Sequence, residues 1–328
     1  MGIRSNKIKV SVNILTKDRC ELLRKCLYSL SKQSYKNFEV VVLDEHSTDG
    51  TEEMVSQLSG MLPDLKFIQR TVKGLGHGRN RGVEESTGEI IAFIDDDEEA
   101  HPDWLKKGVE VMMKSQADIV RGAIYFPDGK PFRELRDDKM QFPTANIFYK
   151  KKVIEDVGMF DERFVYGSED VDLGVRALKK GYKLALCEES ITYHCYLPSN
   201  PISLLKSAWK VGRFRAANRV LRYKKHSDIF KKELTWGVFY KKTHVITTAL
   251  FLGMVGSVLN FCTLNSSIIY ILSVSPFVIS YCLFRVFVDN NFYNYPKRLL
   301  AFPYFIFMDM IETLYTLKGA IKYRYLML

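Results

Sequence analysis

The run Ile90-Ile91-Ala92-Phe93-Ile94-Asp95-Asp96-Asp97 constrains the fold of this chain more than any other stretch. Its apolar β-formers specify a buried strand, and the strand stops in three carboxylates, with Glu98 and Glu99 behind them. A run of like charges is by default a solvated loop. Its position argues for more, because ligands of open α/β sheets bind in the crevice beyond the carboxyl ends of the strands. Carboxylates crowded there repel one another unless a cation neutralises them, and Mg²⁺ or Mn²⁺ is the hard, oxygen-preferring ion that suits them. Asp95 and Asp97, two apart on an extended chain, point to the same side. They are assigned to a metal that clamps a diphosphate.

Strand and helix patterns alternate around this run. Lys9 to Leu15 is an expected first strand, and Leu22, Leu23, Cys26, Leu27 and Leu30 recur at helical spacing behind a cap at Thr16 or Asp18. Phe38 to Leu43 is a nearly all-apolar second strand, as in a parallel sheet covered on both faces. Asp44 ends it at the crevice, and Asp49 is expected to cap the helix Thr51 to Leu58. Leu65 to Gln69 reads as a third strand. The segment Gly74 to Gly82, with Arg79 and Arg81, reads as a loop whose glycines allow close approach to a phosphate or sugar, ahead of a helix from Asn80 to Ser86. It has neither Walker-loop nor dinucleotide-fingerprint spacing. The alternation defines a doubly wound α/β domain with a mostly parallel sheet.

Further along, Ile119 to Phe126 and Asn146 to Tyr149 are strand-like, and a helix starts at Pro102-Asp103-Trp104-Leu105. Ser168 is an expected N-cap that sets Glu169 and Asp170 in the first turn of a helix, where the dipole favours ionised carboxylates. Asp170 is the candidate general base, since burial beside a substrate restores basicity. Asp172 and Arg176, four apart, are expected to pair on the helix surface. Ile191-Thr192-Tyr193-His194 ends this part with a strand and a histidine.

Taken in order, these motifs resemble family 2 glycosyltransferases of the GT-A fold over about residues 8 to 200: Asp44 with Ser47-Thr48-Asp49-Gly50-Thr51, the Gly76 to Gly82 segment with Arg79-Asn80, Asp95-Asp96-Asp97, Gly158 to Phe160, Glu169-Asp170 and His194. The resemblance implies that Asp44 contacts the nucleotide base and that Thr16 and Arg79 line its pocket. It implies that Asp95 and Asp97 form the metal–diphosphate site, that His194 lies near the metal, and that Asp170 is the base of an inverting transfer. The donor it implies is a nucleotide sugar, UDP-linked in the first instance. The chain departs from the common Asp-Gly at Glu45-His46, which bears on the choice of UDP or GDP.

The last third changes character. Of the formal net charge of +10, all is accounted for between Ser203 and Lys242, where 12 Lys/Arg stand against 2 Asp/Glu. The remainder is neutral in sum, so no nucleic-acid-binding surface is expected. Residues 201–243 read as a basic interfacial segment, in which Ser203 to Tyr223 is an amphipathic helix for an anionic membrane surface. Ile246 to Leu264 and Ser266 to Phe284 carry no charge, and each is near the ~20 residues that span a bilayer. Residues 244–288 therefore read as a transmembrane hairpin with both ends cytoplasmic, by the positive-inside rule. Leu299 to Leu317 contains Pro303, Asp309 and Glu312, so residues 289–328 are expected to form an interfacial or re-entrant helix. Six cysteines without a CxxC pair, and an N-terminus without an apolar signal core, place residues 1–200 as a catalytic domain in a reducing cytoplasm.

These features specify a membrane-bound, metal-dependent glycosyltransferase, with membrane lipids and a lipid-linked acceptor as partners and a second copy of the chain left open. A processive synthase is disfavoured, because Trp209 to Arg213 does not reproduce a Gln-x-x-Arg-Trp motif. The alternative is a catalytically inactive, membrane-anchored nucleotide-sugar-binding or scaffold protein.

Overall fold

The structure, a computed structural model, describes residues 8–70, 72–133, 135, 140–195, 209, 215–235, 237–238 and 302–327. It divides into two compact units, Met1–Leu197 and Pro198–Leu328. In the first, β1 (Val10–Thr16), β2 (Phe38–Asp44), β3 (Leu65–Gln69) and β4 (Ile90–Phe93) form a parallel block in the order β3-β2-β1-β4. β1, β2 and β4 are almost wholly buried, which explains the apolar runs of β2 and β4, because helices cover both faces, whereas β3 at the sheet edge is only partly buried. Val10, Val12 and Ile14 meet α1 (Cys20–Ser31) and α4 (Trp104–Ser115) through Leu23, Leu27, Trp104 and Val109. The alternate residues Asn13 and Leu15 face α3 (Leu75–Glu85).

Helix α3 corrects one expectation. Gly74 to Gly82 is not a loop that cradles a ligand, for the helix starts at Leu75 and contains Gly76, Gly78 and Gly82. The missing side chains of Gly78 and Gly82 are needed against the sheet. A Cβ on Gly82 would lie 1.9 Å from Asn13 Oδ1, and one on Gly78 would lie 2.8 Å from Leu15 Cδ2. Tertiary packing thus overrides the poor helix propensity of glycine.

The sheet is also mixed rather than mostly parallel. Beyond β4 the order continues β8-β6-β9-β5, with β8 (Ile147–Lys150) antiparallel to both β4 and β6 (Ile119–Tyr125). β9 (Leu184–His194) runs parallel to β6, while β5 (Glu98–Ala100) pairs antiparallel with β9, and β7 (Pro131–Arg133) antiparallel with β6. β6 and β9 thus run in the same direction as β4, and β8, β5 and β7 oppose it and break the parallel winding. Helices α2 (Thr51–Leu58), α5 (Lys151–Asp156) and α6 (Glu169–Lys179) complete this unit.

The expected helix caps also differ. Residue Arg19, not Thr16 or Asp18, is the N-cap of α1, and the amide of Cys20 is satisfied by Asp49 Oδ2 at 2.8 Å. Asp49 therefore caps α1 from the next loop, whereas α2 is capped by Gly50 at φ +83°. Ser168 holds the N-cap position of α6 at φ +77° without a capping hydrogen bond from its side chain. Asp172 pairs with Arg176 at 2.8 Å as expected, but in the interior rather than on the surface.

In the second unit, α7 (Ala217–Lys225), α8 (Ser227–Phe230) and α9 (Phe302–Tyr323) are described. α7 and α9 pack closely at Gly319, where a Cβ would lie 2.8 Å from Ala217 Cα, and Arg219 pairs with Glu312 at 3.7 Å. Asp309, Glu312 and Thr316 are buried, while Phe307, Met310, Leu314, Leu317 and Ile321 are 38–73% exposed. Their spacing of three and four residues makes one apolar stripe along α9. Among the described residues no helix is long and apolar enough to cross a membrane. The expected hairpin at 244–288 and residues 201–208, 210–214, 236 and 239–243 of the preceding segment lie outside the described residues.

Candidate active site

Parallel winding brings the ends of β1, β2 and β4 to one edge, with Thr16 paired in register to Asp44 and Ile94 hydrogen-bonded to Asn13. Thr16 Oγ1 donates to Asp96 Oδ2 at 2.8 Å. Arg19 then bridges Asp96 Oδ1 at 2.8 Å and Asp97 Oδ2 at 2.9 Å. Asp44 is buried and accepts hydrogen bonds from the amide and hydroxyl of Ser47. Across the rim, Asp18 accepts the amide of Thr48 at 2.9 Å, which stitches the loops after β1 and β2 together. At the departure from the common pattern, Glu45 is buried and pairs with Arg70 at 2.9 Å, and His46 sits at φ +51°. That left-handed geometry is where glycine is at ease.

The strand pairing of β5 and β9 sets Glu98 directly opposite His194, and Cys195 N extends the ladder to Asp97 O at 2.9 Å. The imidazole Nδ1 lies 3.1 Å from Glu98 Oε1 and 3.6 Å from Asp97 Oδ1. Asp97, Glu98 and His194 each offer a ligand atom, all within 4.8 Å of one another. This donor set of two carboxylates and an imidazole fits Mg²⁺ or Mn²⁺. Asp95 stands outside that cluster and is half-buried, its carboxyl raised above the usual range by burial and by Asp97. Burial likewise pushes Asp96 up to about 6 and Glu98 up to about 7, while the hydrogen bond with Glu98 raises His194. Arg19 and His194 offset part of this crowded negative charge, and a cation would offset more of it.

Arg79, expected in a nucleotide pocket, forms a buried ion pair with Glu169 and lies 5.8 Å from the Phe160 ring centroid. Asn80 holds the same turn by accepting from Phe160 N at 2.8 Å and donating to Phe160 O at 3.0 Å. Asp170 is partly exposed and accepts a hydrogen bond from its neighbour's amide, Val171 N, at 2.8 Å. Among the described residues no hydrogen bond or ion pair links it to the Asp97 cluster. Two residues of the site escaped the sequence reading: Arg19, between two aspartates, and Glu98. Glu98 stands in the acidic run, but its partner lies 96 positions away.

An α/β sheet of this mixed order, with acids massed at the ends of its parallel strands, defines the GT-A class of transferase domain. The same fold occurs in mannosyltransferase PcManGT from Pyrobaculum calidifontis, solved with GDP-Man and Mn²⁺, at a TM-score of 0.56 and 17% identity over 95% of this chain and 86% of that one. It occurs too in S. aureus TarS 1–349, at a TM-score of 0.51 and 18% identity over 97% of this chain and 92% of that one. Family models for "Glycosyl transferase family 2" and "Glycosyl transferase family group 2" match residues 11–167 and 128–289. Glycosyltransferase AglE of Haloferax volcanii is 34% identical over 222 residues, 62% of this chain and 72% of that protein. The GalNAc(5)-diNAcBac-PP-undecaprenol beta-1,3-glucosyltransferase of Campylobacter jejuni is 33% identical over 178 residues, 49% of this chain and 57% of that protein. The chain belongs to glycosyltransferase family 2.

Proposed function

We propose that this protein is an inverting, metal-dependent glycosyltransferase that moves a sugar from a nucleotide-sugar donor, a UDP-sugar in the first instance, to a lipid-linked acceptor at the cytoplasmic face of a membrane. The observation that carries this reading is the convergence of Thr16, Asp44 and Asp95 to Asp97 at one sheet edge, with His194 joined to them by β9. In this reading Asp44 and Thr16 face the nucleotide and Asp95 the donor's diphosphate side. Arg79 supports the pocket through Glu169. Asp170 takes the proton of an acceptor hydroxyl, whose oxygen attacks the anomeric carbon as the bond to the nucleoside diphosphate breaks, so the configuration inverts. Asp97 and His194 would hold a divalent cation, which when bound would neutralise charge on the leaving diphosphate.

The lipid-linked acceptor is supported by the undecaprenol-linked substrate in the name of the Campylobacter relative. Membrane attachment is supported by the uncharged stretches Ile246 to Leu264 and Ser266 to Phe284 and by the exposed apolar stripe of α9. Washed membranes containing the protein, incubated with labelled nucleotide sugars and a lipid extract, test the reading. Label should enter an organic-soluble product, and a chelator should stop it. Donor binding without transfer, across a full panel of sugars and acceptors, would sink it in favour of a binding or scaffold role.

A further inference from the structure

A hairpin outside the acidic cluster carries two aromatic rings to the same sheet edge. Because β6 and β9 run in the direction of β4, Tyr125 and His194 emerge where Asp95 does. Beyond Tyr125 the chain turns through Phe126 to Lys130, with Phe126 N bonded to Lys130 O at 2.8 Å and Gly129 at φ +82°. It returns as β7, which pairs with β6 at Ile124 and Tyr125. The turn therefore extends past the sheet edge and lays Phe126 and Phe132 beside His194. Phe132 covers the imidazole with centroids 4.4 Å apart and planes tilted by 35°, and Phe126 meets Phe132 edge-on at 5.2 Å and 83°.

Packing alone does not consume these rings. Both are half-buried, whereas Phe93, Phe142 and Phe148 of the core are enclosed. Aromatic surface left open next to a few polar groups is what ligand sites offer. The sheet order indicates which substrate this surface serves. Thr16, Asp44 and Asp95 follow from β1, β2 and β4, whereas β6 and β9 lie on the other side of β4, beyond β8. The hairpin thus flanks the acids on the side away from the residues given above to the nucleotide. Its chemistry is apolar and neutral, for Phe126 to Phe132 carries one acid and one base, Asp128 and Lys130, paired at 2.8 Å. A phosphate group calls for cationic donors. A sugar ring instead presents a face of C–H groups, which suits the negative face of an aromatic ring.

We propose that Phe126 and Phe132 form a platform on which a sugar ring of the acceptor stacks, so that the acceptor is a saccharide-bearing lipid rather than a bare polyprenyl phosphate. This rests on the transfer reading above and names the chemical class of its acceptor. His194 backs Phe132, so the stacked sugar lies next to the Asp97 cluster.

The test uses membranes containing the full-length protein, a labelled donor, and two probes: a purified polyprenyl phosphate and the saccharide-bearing fraction of the lipid extract. Wild type should label the saccharide-bearing fraction and leave the polyprenyl phosphate unlabelled. Phe126→Leu and Phe132→Leu keep an apolar filler beside His194 but lose the ring. Each should raise the half-saturating concentration of the saccharide-bearing lipid by about 3- to 10-fold, while donor affinity holds. Phe132→Tyr keeps the ring and should stay near wild type. Label in the polyprenyl phosphate alone overturns the proposal but keeps the transferase. Weakened donor binding with an unchanged acceptor half-saturation means that the rings only brace His194, and the proposal falls. No transfer to either probe by the wild-type protein overturns the transfer reading and the proposal together.

Discussion

Arg79 and Glu169 close an ion pair in the interior that ties α3 to α6 and commits the acid next to Asp170. The sequence offers Glu169 and Asp170 as equal rivals for the base, but adjacent helical residues point about 100° apart. Glu169, 2% exposed, faces inward, and burial raises it to about 6 despite the guanidinium beside it. Asp170→Asn should therefore lower turnover by roughly 10²–10⁴ while donor affinity holds. Glu169→Gln should act on folding instead, destabilising by about 3–5 kcal/mol because it strands a buried arginine. Transfer rates and donor binding for both variants check this. Full-rate transfer by Asp170→Asn would falsify the assignment of the base.

The close seat of α3 gives a second expectation. Gly82→Ala places a methyl 1.9 Å from Asn13 Oδ1, so the Asn13 side chain must move and disturb its buried hydrogen bond to Ser86, at a cost of about 1–3 kcal/mol. Gly76→Ala meets nothing closer than 3.4 Å and gains helix propensity. Denaturant midpoints should fall for the first and hold or rise for the second. Equal behaviour of the two would contradict the packing account.

Glu39 provides a pH dependence. Burial alone would raise its carboxyl, yet hydrogen bonds from Ser11 and Thr87, with Lys66 beside it, hold it down at about 2, against an ordinary value of 4.5. A depressed pKa stabilises the fold fully above the ordinary value, and the contribution drains away as pH falls from 4.5 toward 2. Thermal unfolding of wild type and Glu39→Gln should thus differ most near neutrality and converge in acid. A gap that stays constant down to pH ~2 would show that the carboxylate charge is not what matters.

The proposed membrane attachment makes a topological prediction. Cysteine labelling of intact cells should reach position Asn265 from outside, while Ser5 and Leu328 stay protected, as the basic residues flanking the uncharged stretches require. Labelling of Leu328 from outside would make the Leu299 to Leu317 segment a span instead of a surface helix.

Much of the parallel block was legible because each element obeys a local rule. Phe38 to Leu43 is apolar because both faces are covered, and Leu65 to Gln69 coincides with β3. Helix α3 was misjudged in its first turn because glycine was weighed by propensity, whereas Asn13 and Leu15 decide it from another strand. Asp44, Asp95, Asp97 and Asp170 stood out as acids at strand or helix ends. Glu98 and Arg19 did not, because their partners are set by pairings between distant segments. The antiparallel insertion of β8 was equally invisible, since strand direction leaves no mark on composition.

The edge pairing of β5 with β9 also fixes when this centre can come into being. Asp97 and Glu98 leave the ribosome almost 100 residues before His194, and the strand that receives β5 is the last of the first unit. Until β9 is laid down, the nascent acids have no imidazole opposite them, and β5 has no neighbour to pair with. A chain halted just short of Ile191 would keep most of the parallel block yet present a broken centre. Competence would then arrive late and all at once, so truncation products should be inert rather than partly active.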